Sequence, residues 1–152
     1  MIEPKSADIE TLYFSLLQRW NEQDAAGIAA LFAPGGHIVG FDGSETDGRE
    51  AIEASMRDIF THHKTPAYVG KVRSVRFVDG LAILRAVAGM VPPGHQDLNP
   101  ELNAVQALVA SSTAGRWLIE LYVNTPAAFH GRAEVRDRLT AELREALTRV
   151  NR

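Results

Sequence analysis

The sequence predicts an α+β fold in which N-terminal helices pack on a strongly curved, mostly antiparallel sheet. Two observations carry this. Helical periodicity dominates the first part of the chain, and β-branched runs joined by two-residue turn signals dominate the second. Strands and helices do not alternate singly, as a parallel sheet would require. A length of 152 residues suits one domain, 1–152, with its core over about 6–130 and a final helix over about 132–150.

In the first helix Ile9, Leu12, Tyr13, Leu16, Leu17 and Trp20 recur at spacings of three and four, with Ser6 placed to cap it. Asp24 is the expected cap of a second helix over Ala25–Phe32, which Pro34-Gly35-Gly36 would end. His37–Phe41 reads as a short strand and Asp42-Gly43-Ser44 as a turn. A third helix is expected over Arg49–His62, with Ile52, Met56, Ile59 and Phe60 on one face and Pro66 beyond its end.

Val69–Val78 and Leu81–Met90 flank Asp79-Gly80, a two-residue hairpin signal that pairs Val78 with Leu81, Arg76 with Ile83 and Ser74 with Arg85. Asn103–Ser112 and Arg116–Asn124 flank Ala114-Gly115. An unbroken ladder from that turn pairs Ser112 with Trp117, Leu108 with Leu121 and Gln106 with Val123. It puts Gln106 and Asn124 on opposite faces unless a bulge intervenes. Both faces of this hairpin are largely apolar, so both need cover; helices supply one side and a second copy of the chain is expected on the other.

Composition narrows the function. Hydrophobic residues make up 45% and charged residues 23%, an ordinary globular balance. The formal net charge of −3 argues against nucleic acid and anionic membrane as partners, which need a basic face. No cysteine is present, so disulfides and thiolate metal sites are excluded. The N-terminus shows no secretory pattern and no run is apolar enough to span a membrane, so a cytoplasmic location is expected.

The order of elements and several local runs resemble the nuclear transport factor 2-like (cystatin-like) superfamily. Trp20 through Asp24 with Leu31-Phe32 resembles the opening of its SnoaL-like members. Gly48-Arg49 with Ala51-Ile52 resembles the start of their third helix, and Gly115-Arg116-Trp117 with Ile119 resembles a late strand. Ala88 through Gly94 and Asn124-Thr125-Pro126 are most similar to the SgcJ/EcaC-like branch. The resemblance implies a cone-shaped fold with a pocket for a small molecule. It also implies three kinds of activity: acid–base isomerase, cyclase or dehydratase chemistry, an association module, or the oxidoreductase role attached to that branch. The polar strand positions do not reproduce the Tyr–Asp arrangement of the isomerases.

Arg85, His95 and Glu120 are the candidate catalytic residues. Arg85 interrupts an apolar strand and either meets an anion or carbonyl in a pocket or stands as a surface charge. His95 follows Pro92-Pro93-Gly94 and is either a proton donor at a pocket mouth or a solvated loop residue. Glu120 is a strand carboxylate suited to acid–base work or to an ion pair with Arg116 or an Arg of another subunit. Trp20, Phe32, Phe41, Phe60 and Trp117 are candidate apolar walls for a ligand, or plain core. His37, Gln106 and Asn124 are candidate polar contacts to a ligand. His62 and His63 diverge on a helix, so no metal is expected. Phosphate- and dinucleotide-binding glycine patterns are absent, so no cofactor is expected. The expected partners are a small apolar or aromatic molecule and a second copy of the chain through the sheet face.

Overall fold

The computed structural model describes residues 4–150. Helices α1 (Ser6–Asn21), α2 (Ala25–Ala30) and α3 (Arg49–His62) enclose strands β1 (Phe32–Val39) and β2 (Glu45–Asp47) in sequence. Strands β3 (Ala67–Val78), β4 (Leu81–Val91), β5 (Ala104–Thr113) and β6 (Arg116–Pro126) follow, and α4 (Ala133–Val150) ends the chain. The strands form one six-stranded sheet in the order β2-β1-β6-β5-β4-β3, antiparallel throughout except that β1 runs parallel to β6.

The β3–β4 hairpin has the expected register, with Val78 opposite Leu81, Arg76 opposite Ile83 and Ser74 opposite Arg85. Asp79 and Gly80 both adopt positive φ, 46° and 81°, as a type I′ turn requires. The β5–β6 hairpin departs from expectation. Ser112 does pair with Trp117, but Val109 pairs with Leu121 and Ala110 with Ile119, which leaves Glu120 without a partner in the ladder. That bulge shifts everything beyond it by one residue. Leu108 therefore meets Tyr122 instead of Leu121, and Gln106 meets Asn124 instead of Val123.

The second departure is β1. Helix α2 stops at Ala30, and Phe32-Ala33-Pro34-Gly35-Gly36 begins a strand where a helix stop was expected. Its pairing with β6 slips between Phe32 and His37. The Arg49 guanidinium donates to the Phe32 carbonyl from Nε (2.9 Å) and Nη2 (2.6 Å), satisfying a group the slipped ladder leaves unpaired. A Cβ at Gly36 would come within 2.8 Å of the Ile119 carbonyl oxygen, so only glycine lets β1 lie this close to β6. A smaller difference lies at the start of α1, where Lys5 occupies the cap position and Ser6 is already helical.

The main core lies between α1 and the inner sheet face. Ile9, Leu12, Tyr13, Leu16 and Leu17 pack on Leu84, Ala86, Leu108, Ala110 and Ile119. Helix α4 covers part of the other face, where Leu139 and Leu143 meet Val69, Val87 and Leu98. Glu142 anchors this helix by accepting from Lys71 Nζ (2.9 Å) and from both terminal nitrogens of Arg73. The Arg73 guanidinium, with Lys71 beside it, pulls the Glu142 carboxyl down from its ordinary value of 4.5 to about 2. A depressed carboxyl stabilises the fold above its unfolded pKa and loses that contribution as pH falls through the folded value. Glu142→Gln is expected to lower the unfolding free energy by about 1 kcal/mol at neutral pH, as half-exposed pairs do. Urea denaturation across a pH series should show the difference between the two proteins vanishing as pH falls from about 4.5 to about 2.

Candidate functional site

Between α1, α2, α3 and the inner end of the sheet lies a cavity of about 470 Å³. Leu16, Leu17 and Trp20 of α1, Ile28 of α2, Met56 and Ile59 of α3 and Ile38 of β1 supply apolar wall. Tyr68, Tyr122 and Asn124 line it from the sheet, and the β1–β2 loop forms its rim with Gly40, Phe41, Asp42 and Ser44.

One continuous set of hydrogen bonds runs beneath this cavity. Tyr13 Oη donates to Gln106 Oε1 at 2.5 Å, Gln106 Nε2 donates to Asn124 Oδ1 at 3.1 Å, and Asn124 Nδ2 donates to Tyr68 Oη at 2.7 Å. Each donor points the same way along the chain, so the dipoles add. The last member accepts with its oxygen, which leaves the Tyr68 hydroxyl proton available to an acceptor in the cavity. Burial pushes the Tyr68 phenol up to about 12 and raises Tyr13 and Tyr122 as well. All three phenols are therefore protonated donors at neutral pH.

Local structure holds this set in place. The Asn21 side chain at the end of α1 donates to the Tyr68 carbonyl (3.0 Å) and accepts from the Tyr68 amide (2.8 Å), acting as a one-residue strand partner. Trp20 Nε1 donates to the Pro66 carbonyl (2.8 Å), and its ring meets those of Phe60 and Tyr68 edge-on at 5.2 and 5.6 Å. Gly70 lies under Tyr13, and a Cβ there would overlap the Tyr13 hydroxyl and lie 2.6 Å from Leu17 Cδ1.

The three candidate catalytic residues do not meet, and none lines the cavity. Arg85 is exposed on the outer face of β4, because its neighbours Leu84 and Ala86 take the inner face. His95 is exposed in the β4–β5 loop, which Asp97 ties to Arg144 of α4 at 3.0 Å, away from the cavity. Glu120 is the bulge residue and accepts from Ser111 Oγ at 2.8 Å on the outer face.

The candidate ligand contacts divide. Trp20, Phe41 and Asn124 line the cavity. Gln106 is buried one step behind Asn124, and Phe60 packs behind Trp20. Phe32 is fully buried core, while Trp117 packs on Phe77 (5.9 Å) and borders a more open depression at the far end of α1. His37 points away from the cavity and sits between Glu45 (2.9 Å) and Asp47 (3.2 Å), with the Glu45 contact first in raising its pKa.

Sequence reasoning missed most of the lining as site residues, among them Asp42 and Ser44, read only as a turn, and the two phenols Tyr68 and Tyr122. Tyr68 precedes the run assigned to β3, and an unbroken register turns Tyr122 outward. The one usable signal was the pairing of two strand amides, Gln106 and Asn124, which a bulge brings together. Among the described residues no three His, Cys, Asp or Glu side chains cluster so as to hold a metal ion, and no helix is long and apolar enough to cross a membrane.

Gly70→Ala is expected to displace Tyr13 and leave the Gln106 acceptor unpaired. The cost should be about 1–3 kcal/mol by chemical denaturation. An unchanged midpoint would show that Tyr13 is free to move.

No protein-family model and no curated protein sequence matches the chain. Solved structures do. A domain of unknown function with a cystatin-like fold from Nostoc punctiforme superposes with a TM-score of 0.75 at 25% identity, covering 97% of this chain and 96% of that one. A protein of Thiobacillus denitrificans assigned as a calcium/calmodulin-dependent protein kinase type II association domain gives 0.69 at 15% identity, covering 82% and 98%. A ketosteroid isomerase-like protein from Erwinia carotovora gives 0.64 at 15% identity, covering 83% and 98%. Helices packed on a mixed sheet, a cavity at their junction and these superpositions agree: the chain has a cystatin-like fold.

Proposed function

We propose that the chain binds a small apolar or aromatic metabolite in the cavity between α1, α3 and the sheet. The observation that carries this reading is the hydrogen-bond chain from Tyr13 to Tyr68. It ends on a hydroxyl whose proton has no acceptor among the described residues, against walls that are otherwise mostly apolar. Such a site suits a molecule with a hydrophobic body and one carbonyl, hydroxyl or ether oxygen placed on Tyr68.

Binding is favoured over acid–base catalysis by the charge states of the wall. The phenols are held protonated by burial. The lining carboxylate is Asp42, whose pKa is lowered chiefly by the Ser44 backbone N–H, and a weakened base is a poor proton acceptor. The test is a titration monitored by Trp20 fluorescence with 2-acetonaphthone, a neutral aromatic ketone. Saturable quenching is expected, with affinity reduced about threefold to tenfold in Tyr68→Phe, the worth of one net hydrogen bond. Absence of saturable binding, or equal affinity in the variant, would contradict the reading.

We also infer that two copies associate through the outer face of β4, β5 and β6. Val105 is 43% exposed there, and Ala107, Val109, Leu121 and Val123 are half-buried and lie outside the cluster that α4 covers. The Thiobacillus association domain is a structural neighbour of this chain, which is in keeping with assembly. Sedimentation should give a dimer mass at micromolar concentration and a monomer for Val109→Glu; a wild-type monomer would remove this inference.

A further inference from the structure

We propose that the ligand of this cavity is a lipophilic cation, an apolar or aromatic body carrying a protonated amine or quaternary ammonium that sits at the rim beside Asp42. The inference rests on the binding reading above and names its ligand class. Two independent observations carry it.

The first is the charge of the entrance. Asp42 is the one residue with a formal charge that lines the cavity, and no Lys, Arg or His forms an ion pair with it among the described residues. One of its oxygens accepts from Ser44 N–H at 2.9 Å, which fixes the carboxylate on the loop with the Ser44 hydroxyl beside it; both donors are neutral and leave its charge in place. The loop and strand around it also carry Glu45 and Asp47 but no Lys or Arg between Val39 and Gly48. His37 lies between those two carboxylates and offsets them when protonated, whereas no cation among the described residues pairs with Asp42. An anionic ligand would enter against this field and a cation with it.

The second is the wall. Trp20, Phe41, Tyr68 and Tyr122 line the cavity, and Phe41 shares the rim loop with Asp42, so a cation held at the rim has an aromatic neighbour while the apolar body has an aromatic wall. Depth orders the site: Asp42 is exposed, whereas Tyr122 and Asn124 are buried, 7% and 5% exposed. The cationic end of the ligand therefore lies outward and its apolar body inward.

The test uses one rigid body with three head groups: 1-adamantanemethylamine (cation), 1-adamantanemethanol (neutral) and 1-adamantanecarboxylate (anion), titrated calorimetrically into the full chain at neutral pH. The amine should bind about fivefold or more tighter than the alcohol, the carboxylate should bind weakest, and added salt should shrink the spread. Asp42→Asn keeps the oxygen that accepts from Ser44 N–H, so it should erase the amine's advantage by weakening the amine several-fold more than the alcohol. Alcohol binding equal to or tighter than amine binding would overturn the cation assignment while the cavity remains a binding site. Equal loss of both ligands in Asp42→Asn would overturn it too, because the charge would then not be what selects. Failure of all three probes to bind would overturn the binding reading and this assignment with it.

Discussion

Between Ile119 and Leu121, strand β6 holds one residue more than β5 can pair with. Everything chemical about the cavity depends on that surplus. Before the bulge Ile119 faces the helices; after it Tyr122 and Asn124 do, and without it Leu121 and Val123 would take their places. The bulge thus exchanges two aliphatic side chains for a phenol and an amide at the end of the sheet where α1 and α3 leave room. It also sends Glu120 outward to Ser111, which keeps a carboxylate out of the interior.

A buried amide pair is costly unless every donor and acceptor is answered. Here the answers come from both directions. Tyr13 reaches Gln106 because Gly70 lets it lie against β3, and Tyr68 meets Asn124 because Asn21 fixes its backbone at the strand's start. Helix α1 therefore supplies the support at both ends of the chain of hydrogen bonds, in addition to the apolar stripe that fills the main core. Arg49 plays a comparable part at the start of β1 by capping the Phe32 carbonyl, where β1 slips against β6. Among the described residues nothing accepts the Tyr68 hydroxyl proton, and the fold puts that hydroxyl at a cavity wall.

Local signals in the sequence sufficed where they determine structure locally. Asp79-Gly80 set the first hairpin's register as far as Ser74 opposite Arg85, beyond which a bulge at Arg73 shifts the ladder, and the bounds of α3 followed from its periodic face and from Pro66 beyond it. The turn at Ala114-Gly115 was equally legible, yet the register beyond it was not, because no residue type announces a bulge at Glu120. Strand β1 was misread at its start for a related reason. Pro34-Gly35-Gly36 looks like a helix stop, and its true partner is β6, far along the chain and parallel to it. Of the candidate site, Trp20, Phe41 and Asn124 could be named from composition and position, whereas Arg85, His95 and Glu120 drew notice as charges in or beside apolar runs and stand on the outside for the same reason that such charges usually do.

Tyr13, Gln106, Asn124 and Tyr68 form one connected unit under the cavity. A double-mutant cycle between Tyr13→Phe and Tyr68→Phe, measured by urea denaturation, addresses it directly. The two hydroxyls stand at opposite ends of the chain, joined through two amides. A connected unit predicts a coupling energy above about 0.5 kcal/mol, since the first loss already loosens the amides on which the second depends. Effects that add to within about 0.3 kcal/mol would contradict the account and reduce the network to independent local contacts.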